Sequence, residues 1–210
     1  PVDPHRDALT LDGRSTPPAA PVTFKLHKPL AMLTTLSDPQ QRPTIAALLP
    51  RELPYLVPVG RLDWDSSGLL LLTNDGLLGH RILTGEDALV KRYEVEVAGR
   101  PDDATFDPLR RGSDLGDHRC QPAKVVVMER LAYRTRLLIE IREGRRRQIR
   151  RSLHRVGLRV RALHRSQVGP IGIGELAPGA IAPLTASESA ALYAAVGLAP
   201  PIGRAFDPSE

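Results

Sequence analysis

A carboxylate in a glycine-bounded loop is the first feature of this 210-residue sequence that could perform chemistry. Asp63 lies in the segment from Gly60 to Gly68, between the apolar stretches 55–59 and 69–73. Loops held between buried strands commonly carry functional groups, and a carboxylate there can act as a nucleophile or as a general acid or base. Composition alone equally allows a tight turn in which Asp63 caps a neighbouring backbone NH group.

Other sources of chemistry are weakly represented in the sequence. The six histidines are scattered without the close spacing of a zinc site. Cys120 is the single cysteine, which excludes an intrachain disulfide and favours a reducing compartment. Neither a G-x-x-x-x-G-K-[ST] loop nor a G-x-G-x-x-G loop is present, which argues against a nucleotide cofactor. We therefore expect side-chain chemistry without a metal or a cofactor.

Positive charge is concentrated in one segment. The net charge is +5, and residues 142–165 contain ten arginines, no lysine and a single acidic residue, Glu143. A solvated helix face normally mixes charges of both signs. An unbroken run of arginines suits phosphate groups, which the planar guanidinium can bind in a bidentate manner. The segment therefore predicts a nucleic-acid partner.

Apolar spacing within this segment predicts a helix over residues 145–156. The residues that follow i, i+4 and i+7 spacing are Ile149, Leu153 and Val156. At about 100° per residue, Arg150 lies about 100° from Ile149, whereas Arg147 and Arg151 lie at about 160° and 200°. Arg150 is thus predicted to be partly buried beside a carboxylate partner. Arg147 and Arg151 are predicted to face solvent or RNA.

Alternating and apolar patterns supply the framework around these residues. They predict strands over 23–26, 55–59, 69–73, 91–97, 123–128, 135–142 and 160–168. Two further helices are predicted over 43–49 and 187–196, and Asn74-Asp75-Gly76 predicts a turn. This irregular order of elements indicates an α+β fold, with a mixed, largely antiparallel sheet flanked by helices.

Four segments together resemble the RsuA-type branch of the pseudouridine synthases. Residues 61–76 are similar to its long signature R-L-D-x-x-S/T-x-G-L-L-L-L-T-N-D-G. Residues 27–29 resemble its N-K-P motif with His27 in place of asparagine, and residues 91–93 resemble its K-x-Y motif. Residues 143–151 resemble its E-G-R-x-R-Q-[IV]-R-R motif. The resemblance spans about residues 23–185, and it implies the pseudouridine synthase catalytic fold and the isomerisation of uridine in RNA.

The resemblance also implies roles for individual residues. Asp63 would be the catalytic aspartate, Arg150 its basic partner, and Tyr93 the ring that stacks on the target uracil, although a strand residue such as Tyr93 can equally be a core aromatic. The implied reaction breaks the N1–C1′ bond, rotates the base and rejoins it through C5, without a cofactor. The aspartate could attack covalently or help to remove a sugar proton, and both routes stay open.

Further basic residues are expected to contact the RNA. They are Lys28, Arg61, Arg145, Arg146, Arg147, Arg151 and Arg165. For Lys28 and Arg61, support of the loop or simple surface charge is an equal alternative. The RsuA-type branch implies ribosomal RNA as the partner, with the large subunit first and small-subunit rRNA and tRNA as alternatives.

The chain is predicted to consist of one catalytic domain, residues 22–200, between a proline-rich linker, 1–21, and a short tail, 201–210. Residues 2–14 resemble the end of the S4 RNA-binding domain that precedes many RsuA-type domains, so we expect such a domain upstream. No apolar run approaches the roughly 20 residues of a membrane span, and we expect a cytoplasmic monomer. The main rival interpretation is a non-catalytic RNA-binding or ribosome-assembly protein on the same scaffold. A hydrolase of the glycosidase type would need a second carboxylate, for which Asp65 is the candidate.

Overall fold

The computed structural model describes residues 20–84 and 89–201, together with the backbone of residues 10–11 and 14–15. The predicted linker 1–21 and tail 201–210 therefore lie largely outside the described residues. The strands are β1 Thr10–Leu11, β2 Arg14–Ser15, β3 Thr23–Lys28, β4 Val57–Val59, β5 Ser67–Thr73, β6 Lys91–Ala98, β7 Lys124–Arg130, β8 Arg134–Ile141, β9 Val160–Val168, β10 Ile171–Gly172 and β11 Ile181–Pro183. The helices are α1 Gly76–Thr84, α2 Asp107–Arg110, α3 Gln148–Arg155 and α4 Ala186–Ala195, with 3₁₀ turns at Ile45–Leu48 and Asp103–Phe106.

Nine of these strands form one sheet, in the order β11-β3-β5-β9-β6-β8-β7, with β4 beside β5 and β10 beside β9. All of its pairs are antiparallel except β5 with β9, which run parallel where Ser67 faces His164 and Gly68 faces Arg165. Strands β1 and β2 form a separate hairpin. The prediction of an α+β fold with a largely antiparallel sheet is confirmed.

Strand β5 is buried on both faces, which explains its unbroken apolar run. Leu70 and Leu72 pack into the core on one side of the sheet, together with Ile149 from α3. Leu69 and Leu71 pack into a second core on the other side, under α1 and α4. Successive side chains of a strand point to opposite faces, so two cores require apolar residues at every position. The loop that carries Asp63 leads directly into this doubly anchored strand.

Glycine at the start of β5 allows the parallel contact with β9. Gly68 has a φ of +112°, and a Cβ atom built there would lie 2.5 Å from the backbone nitrogen of Arg165. Real Cβ atoms essentially never approach other atoms this closely. A side chain at position 68 would therefore push β5 away from β9, and the preceding loop would move with it.

Two local predictions were wrong. The turn expected at Asn74-Asp75-Gly76 is the start of helix α1, because the Oδ1 atom of Asp75 accepts a hydrogen bond from Leu78 N at 2.9 Å and so caps the first turn. The arginine-rich helix begins at Gln148 rather than at residue 145, because Arg147 adopts the left-handed conformation with a φ of 52°. Within the described residues, no helix combines the length and the apolar character needed to cross a membrane.

Candidate active site

The loop between β4 and β5 is held from several sides. The hydroxyl of Thr34 donates to Leu62 O at 2.8 Å and accepts from Leu62 N at 3.2 Å. Ala31 N donates to Trp64 O at 2.9 Å, and Ser66 N donates to Asp63 O at 3.0 Å. Asp63 thus sits on a fixed backbone while its own side chain stays one-third exposed. The turn is closed through the backbone oxygen of Asp63, and within the described residues its carboxylate caps no backbone NH group.

Lys28 supports this loop from below. Its side chain is completely buried, and its Nζ atom donates to Ser66 O and to Pro29 O, each at 2.8 Å. Burial lowers the pKa of Lys28 from 10.5 to about 8, against the opposing effects of Asp63 and Asp65. An inaccessible ammonium group cannot reach phosphate, so the structure favours loop support over the predicted RNA contact.

The side chain of Asp63 faces a cleft of about 230 Å³. This volume lies below the roughly 300–1,000 Å³ of typical small-molecule sites. Tyr93 lines the cleft and also belongs to the core, with 7% of its surface exposed. An irregularity in the pairing of β6 with β9 falls between Arg92 and Tyr93. Such bulges often redirect a side chain beside an active site.

Lys91 and Arg165 place two buried cations around the same cleft. Lys91 lies two residues before Tyr93 on the same face of β6. Its Nζ atom donates to Leu89 O at 3.1 Å and to Arg142 O at 2.8 Å, and burial, aided by the charge of Arg165, lowers its pKa to about 8. The i, i+2 spacing from Tyr93 is the sequence signal that could have assigned Lys91 to the site.

The arginines of the cluster divide by exposure rather than by position in the sequence. Arg61, Arg145 and Arg146 are exposed and line the rim of the cleft, where phosphate groups can reach them. Arg165 is 4% exposed, and its Nε atom donates to Leu69 O at 2.7 Å, which makes it part of the cleft floor. Arg151 binds Asp117 through both of its terminal nitrogens, at 3.2 and 2.6 Å. Some arginines of the expected phosphate-binding face thus form contacts within the protein instead.

Arg150 is partly buried as predicted, with only 11% of its side chain exposed, but its direct ion pair is with Asp65. Its Nε atom lies 3.3 Å from Asp65 Oδ2, and its Nη2 atom donates to Asp65 O at 2.5 Å. The cation nearest to Asp63 is instead Arg147, whose Nη1 atom lies 3.6 Å from Asp63 Oδ2. This exchange follows from the late start of α3, because the left-handed backbone at Arg147 turns its side chain toward the loop, where 41% of it stays exposed.

Asp65, which the sequence offered only as the second carboxylate of a hydrolase, pairs with both Arg147 and Arg150. Its carboxylate accepts two hydrogen bonds from Arg147, Nη1 to Oδ1 and Nη2 to Oδ2, each at 2.9 Å. These bonds hold the pKa of Asp65 below its ordinary value, and the charge of Arg150 acts in the same direction. Burial lowers the pKa of Arg150, whereas the hydrogen bonds to Asp65 raise that of Arg147. A pairing across 82 residues of sequence leaves no local signal.

His27, which stands where the RsuA-type motif has asparagine, packs behind the loop. Its Nδ1 atom lies 2.7 Å from Leu176 O, and its ring meets that of His164 edge-on, with centroids 5.2 Å apart. The Nδ1 atom of His164 lies 3.0 Å from Ser67 Oγ, and burial, together with the nearby His27, lowers the pKa of His164. The substitution therefore affects the support of β5 rather than the lining of the cleft.

Comparisons with known proteins agree with this geometry. Residues 23–155 match the family model described as RNA pseudouridylate synthase. An uncharacterized RNA pseudouridine synthase of Aquifex aeolicus is 38% identical over 199 residues, which cover 94% of this chain and 80% of that protein. The ribosomal large subunit pseudouridine synthase E of Vibrio vulnificus is 36% identical over 167 residues, which cover 73% of this chain and 70% of that protein.

A crystal structure of a pseudouridylate synthase superposes with a TM-score of 0.74 at 31% sequence identity, and the match covers 82% of this chain and 74% of that one. Fold, motifs and cleft thus coincide in one region of the chain. The chain belongs to the RNA pseudouridine synthase family, whose members are isomerases that convert uridine in RNA to pseudouridine.

Proposed function

We propose that this enzyme isomerises a uridine of large-subunit ribosomal RNA, and that Asp63 is its catalytic carboxylate. The observation that carries the catalytic assignment is the cleft itself, which brings Asp63 and the ring of Tyr93 together in a space suited to one nucleoside. The choice of RNA is supported by the similarity to the Vibrio vulnificus enzyme, whose name assigns it to the large ribosomal subunit. The exposed arginines at the rim suit the surrounding phosphates.

The proposed chemistry uses only side chains of this protein. Asp63 either attacks the sugar covalently or removes one of its protons while the N1–C1′ bond breaks. The freed uracil rotates against Tyr93, and base stacking of about 1–3 kcal/mol helps to offset the extraction of the nucleotide from its helix or loop. A bond from C5 to C1′ then forms, and the hydrogen on C5 leaves as a proton. None of these steps is an oxidation or a reduction.

The basic groups around the cleft are proposed to divide the remaining work. Arg147 and Arg150 place positive charge beside the loop that carries Asp63. Arg61, Arg145 and Arg146 contact phosphates near the target. Lys91 and Arg165 hold the floor of the cleft. We propose that the enzyme acts in the cytoplasm as a monomer.

The choice of RNA can be tested with three substrates. Large-subunit rRNA, small-subunit rRNA and bulk tRNA without modifications would each be incubated with the enzyme. Pseudouridine would then be mapped through the carbodiimide adducts that stop reverse transcription. The proposal predicts one strong stop in large-subunit rRNA that is absent with Asp63→Asn. A stop confined to small-subunit rRNA or tRNA would refute the proposed target but keep the proposed chemistry.

A further inference from the structure

Asp65 holds two cations beside the catalytic carboxylate. Arg147 grips it with both terminal nitrogens, at 2.9 Å each, and Arg150 Nε lies 3.3 Å from its Oδ2 atom. Asp63, two residues earlier in the same loop, lies 3.6 Å from Arg147, beyond hydrogen-bond reach. The guanidinium of Arg147 is thus close to Asp63, while the hydrogen bonds of the two arginines go to Asp65 and Ser66.

We propose that Asp65 is a positioning residue for the reaction, which keeps both arginines near Asp63 while preventing Arg147 from binding its oxygens. The inference rests on the proposed role of Asp63. A carboxylate that accepts a bidentate guanidinium has its lone pairs occupied and its ionised form strongly favoured. Such a group is a poor nucleophile and a poor base. Asp65 takes up those hydrogen bonds, and Asp63 keeps the positive field with its oxygens available to the nucleoside.

The backbone at Arg147 indicates that this arrangement is specifically built. Arg147 has a φ of 52°, a left-handed conformation that non-glycine residues adopt infrequently. It immediately precedes α3, and its side chain lies in the cleft lining together with Asp63. A residue in the left-handed region at a cleft is a recognised sign of a functional constraint. Glycine accepts the same φ without strain, so Arg147→Gly removes the side chain and preserves the backbone.

The chain offers a matched control. Asp103 accepts two hydrogen bonds from Arg110, Nη1 to Oδ2 at 2.8 Å and Nη2 to Oδ1 at 3.0 Å, which reproduces the geometry of the Arg147 pair. Neither Asp103 nor Arg110 lines the cleft. The Asp103→Asn variant therefore measures the effect of losing a bidentate pair elsewhere in the protein.

The test compares single-turnover rates, RNA affinity and thermal unfolding for wild type, Asp65→Asn, Asp65→Glu, Asp63→Asn and Asp103→Asn. Asp65→Asn is expected to lower the rate on the order of 100-fold through misplacement of catalytic groups. Its RNA affinity and unfolding temperature should match those of Asp103→Asn, whose rate stays at the wild-type level. Asp65→Glu keeps the charge and should recover part of the lost rate.

The pH dependence separates positioning from mere structural support. In Asp65→Asn the freed guanidinium of Arg147 is expected to bind Asp63, and an adjacent cation favours the ionised carboxylate. The acid limb of the pH–rate profile, where the rate falls as the pH decreases, should therefore move to lower pH. The same Asp65→Asn change made in the Arg147→Gly background should move that limb less, because the guanidinium is absent and only the loss of the Asp65 charge acts on Asp63.

Several outcomes would overturn the inference. A wild-type rate and an unmoved acid limb in Asp65→Asn would do so, as would a rate loss that Asp103→Asn reproduces. If Asp65→Asn unfolds, a full loss of rate in folded Asp65→Glu would count against it. The Asp63→Asn variant distinguishes the two proposals. If Asp63→Asn is active, the proposed function fails. If Asp63→Asn is inactive and Asp65→Asn has the wild-type rate, only the role of Asp65 is refuted.

Discussion

Replacing the buried Lys28 with methionine is expected to remove a pH-dependent part of the stability of the folded protein. The side chain is completely buried, and its Nζ atom reaches only backbone carbonyls of Ser66 and Pro29 among its hydrogen-bond partners in the described residues. Burial lowers its pKa from 10.5 to about 8. Because the pKa of Lys28 is lower in the folded state than in the unfolded state, a charged Lys28 lowers the free energy of unfolding.

The direction and size of the effect are set by proton linkage. Between pH 8 and 10.5 the unfolded chain holds a proton on Lys28 that the folded protein has released, so the free energy of unfolding rises with pH. This interval covers about 2.5 pH units at about 1.36 kcal/mol each, which amounts to about 3 kcal/mol in total. Below pH 8 the full penalty is present, and above pH 10.5 it is absent.

Guanidinium chloride unfolding of wild type and Lys28→Met at pH 7, 8, 9 and 10.5 measures this contribution. The stability of wild type relative to Lys28→Met should rise by about 3 kcal/mol across the series. Other titrating groups, including Lys91, are present in both proteins and cancel in the difference. Lys124, whose side chain is 65% exposed, provides the control Lys124→Met for removing an ammonium group at the surface. A difference that stays constant from pH 7 to 10.5 would refute the argument that Lys28 is held out of water beneath the loop.

Three further predictions concern the loop, the ring and the helix cap. Gly68→Ala should lower the free energy of unfolding by about 3 kcal/mol, because of the positive φ and the collision with Arg165, and single-turnover assays should show reduced activity. A fully active, equally stable variant would contradict the close approach of β5 and β9. Tyr93→Phe should retain most of the activity, whereas Tyr93→Ala should lower it by about 10–100-fold, because stacking needs the ring and not the hydroxyl. Equal losses of activity in both variants would argue against stacking. Asp75→Ala should lower the free energy of unfolding by about 2–3 kcal/mol, because it removes the cap on Leu78 N and the acceptor 2.6 Å from the hydroxyl of Tyr193. Tyr193→Phe should lower it by about half as much in the same unfolding assay.

The sequence predicted the parts of the site that depend on local pattern. The alternation over residues 91–97 predicted the strand that carries Tyr93, and the apolar run after Gly68 predicted the strand that anchors the Asp63 loop. Helical spacing correctly predicted the partial burial of Arg150. The first and the third rest on a repeat of two or of 3.6 residues, and the second rests on an unbroken apolar run, all within a short window.

The features that the sequence could not predict depend on contacts between distant segments or on one backbone angle. Burial of Lys28 arises because β3 and the loop before β5 close over it from 38 residues apart. The left-handed φ of Arg147 delays α3 and exchanges the roles expected for Arg147 and Arg150. Asp75 carries the same turn chemistry whether it ends a hairpin or caps a helix, and only the packing of α1 on the sheet decides between them.

Release of tritium from uridine labelled at C5 tests the central claim most directly, because formation of the C5–C1′ bond expels that hydrogen. Labelled large-subunit rRNA would be treated with wild-type enzyme and with Asp63→Asn, with Asp103→Asn as the control for an aspartate outside the cleft. We predict release with wild type and Asp103→Asn, and none above background with Asp63→Asn. Release that continues undiminished in Asp63→Asn would contradict the assignment of this carboxylate as the catalytic group.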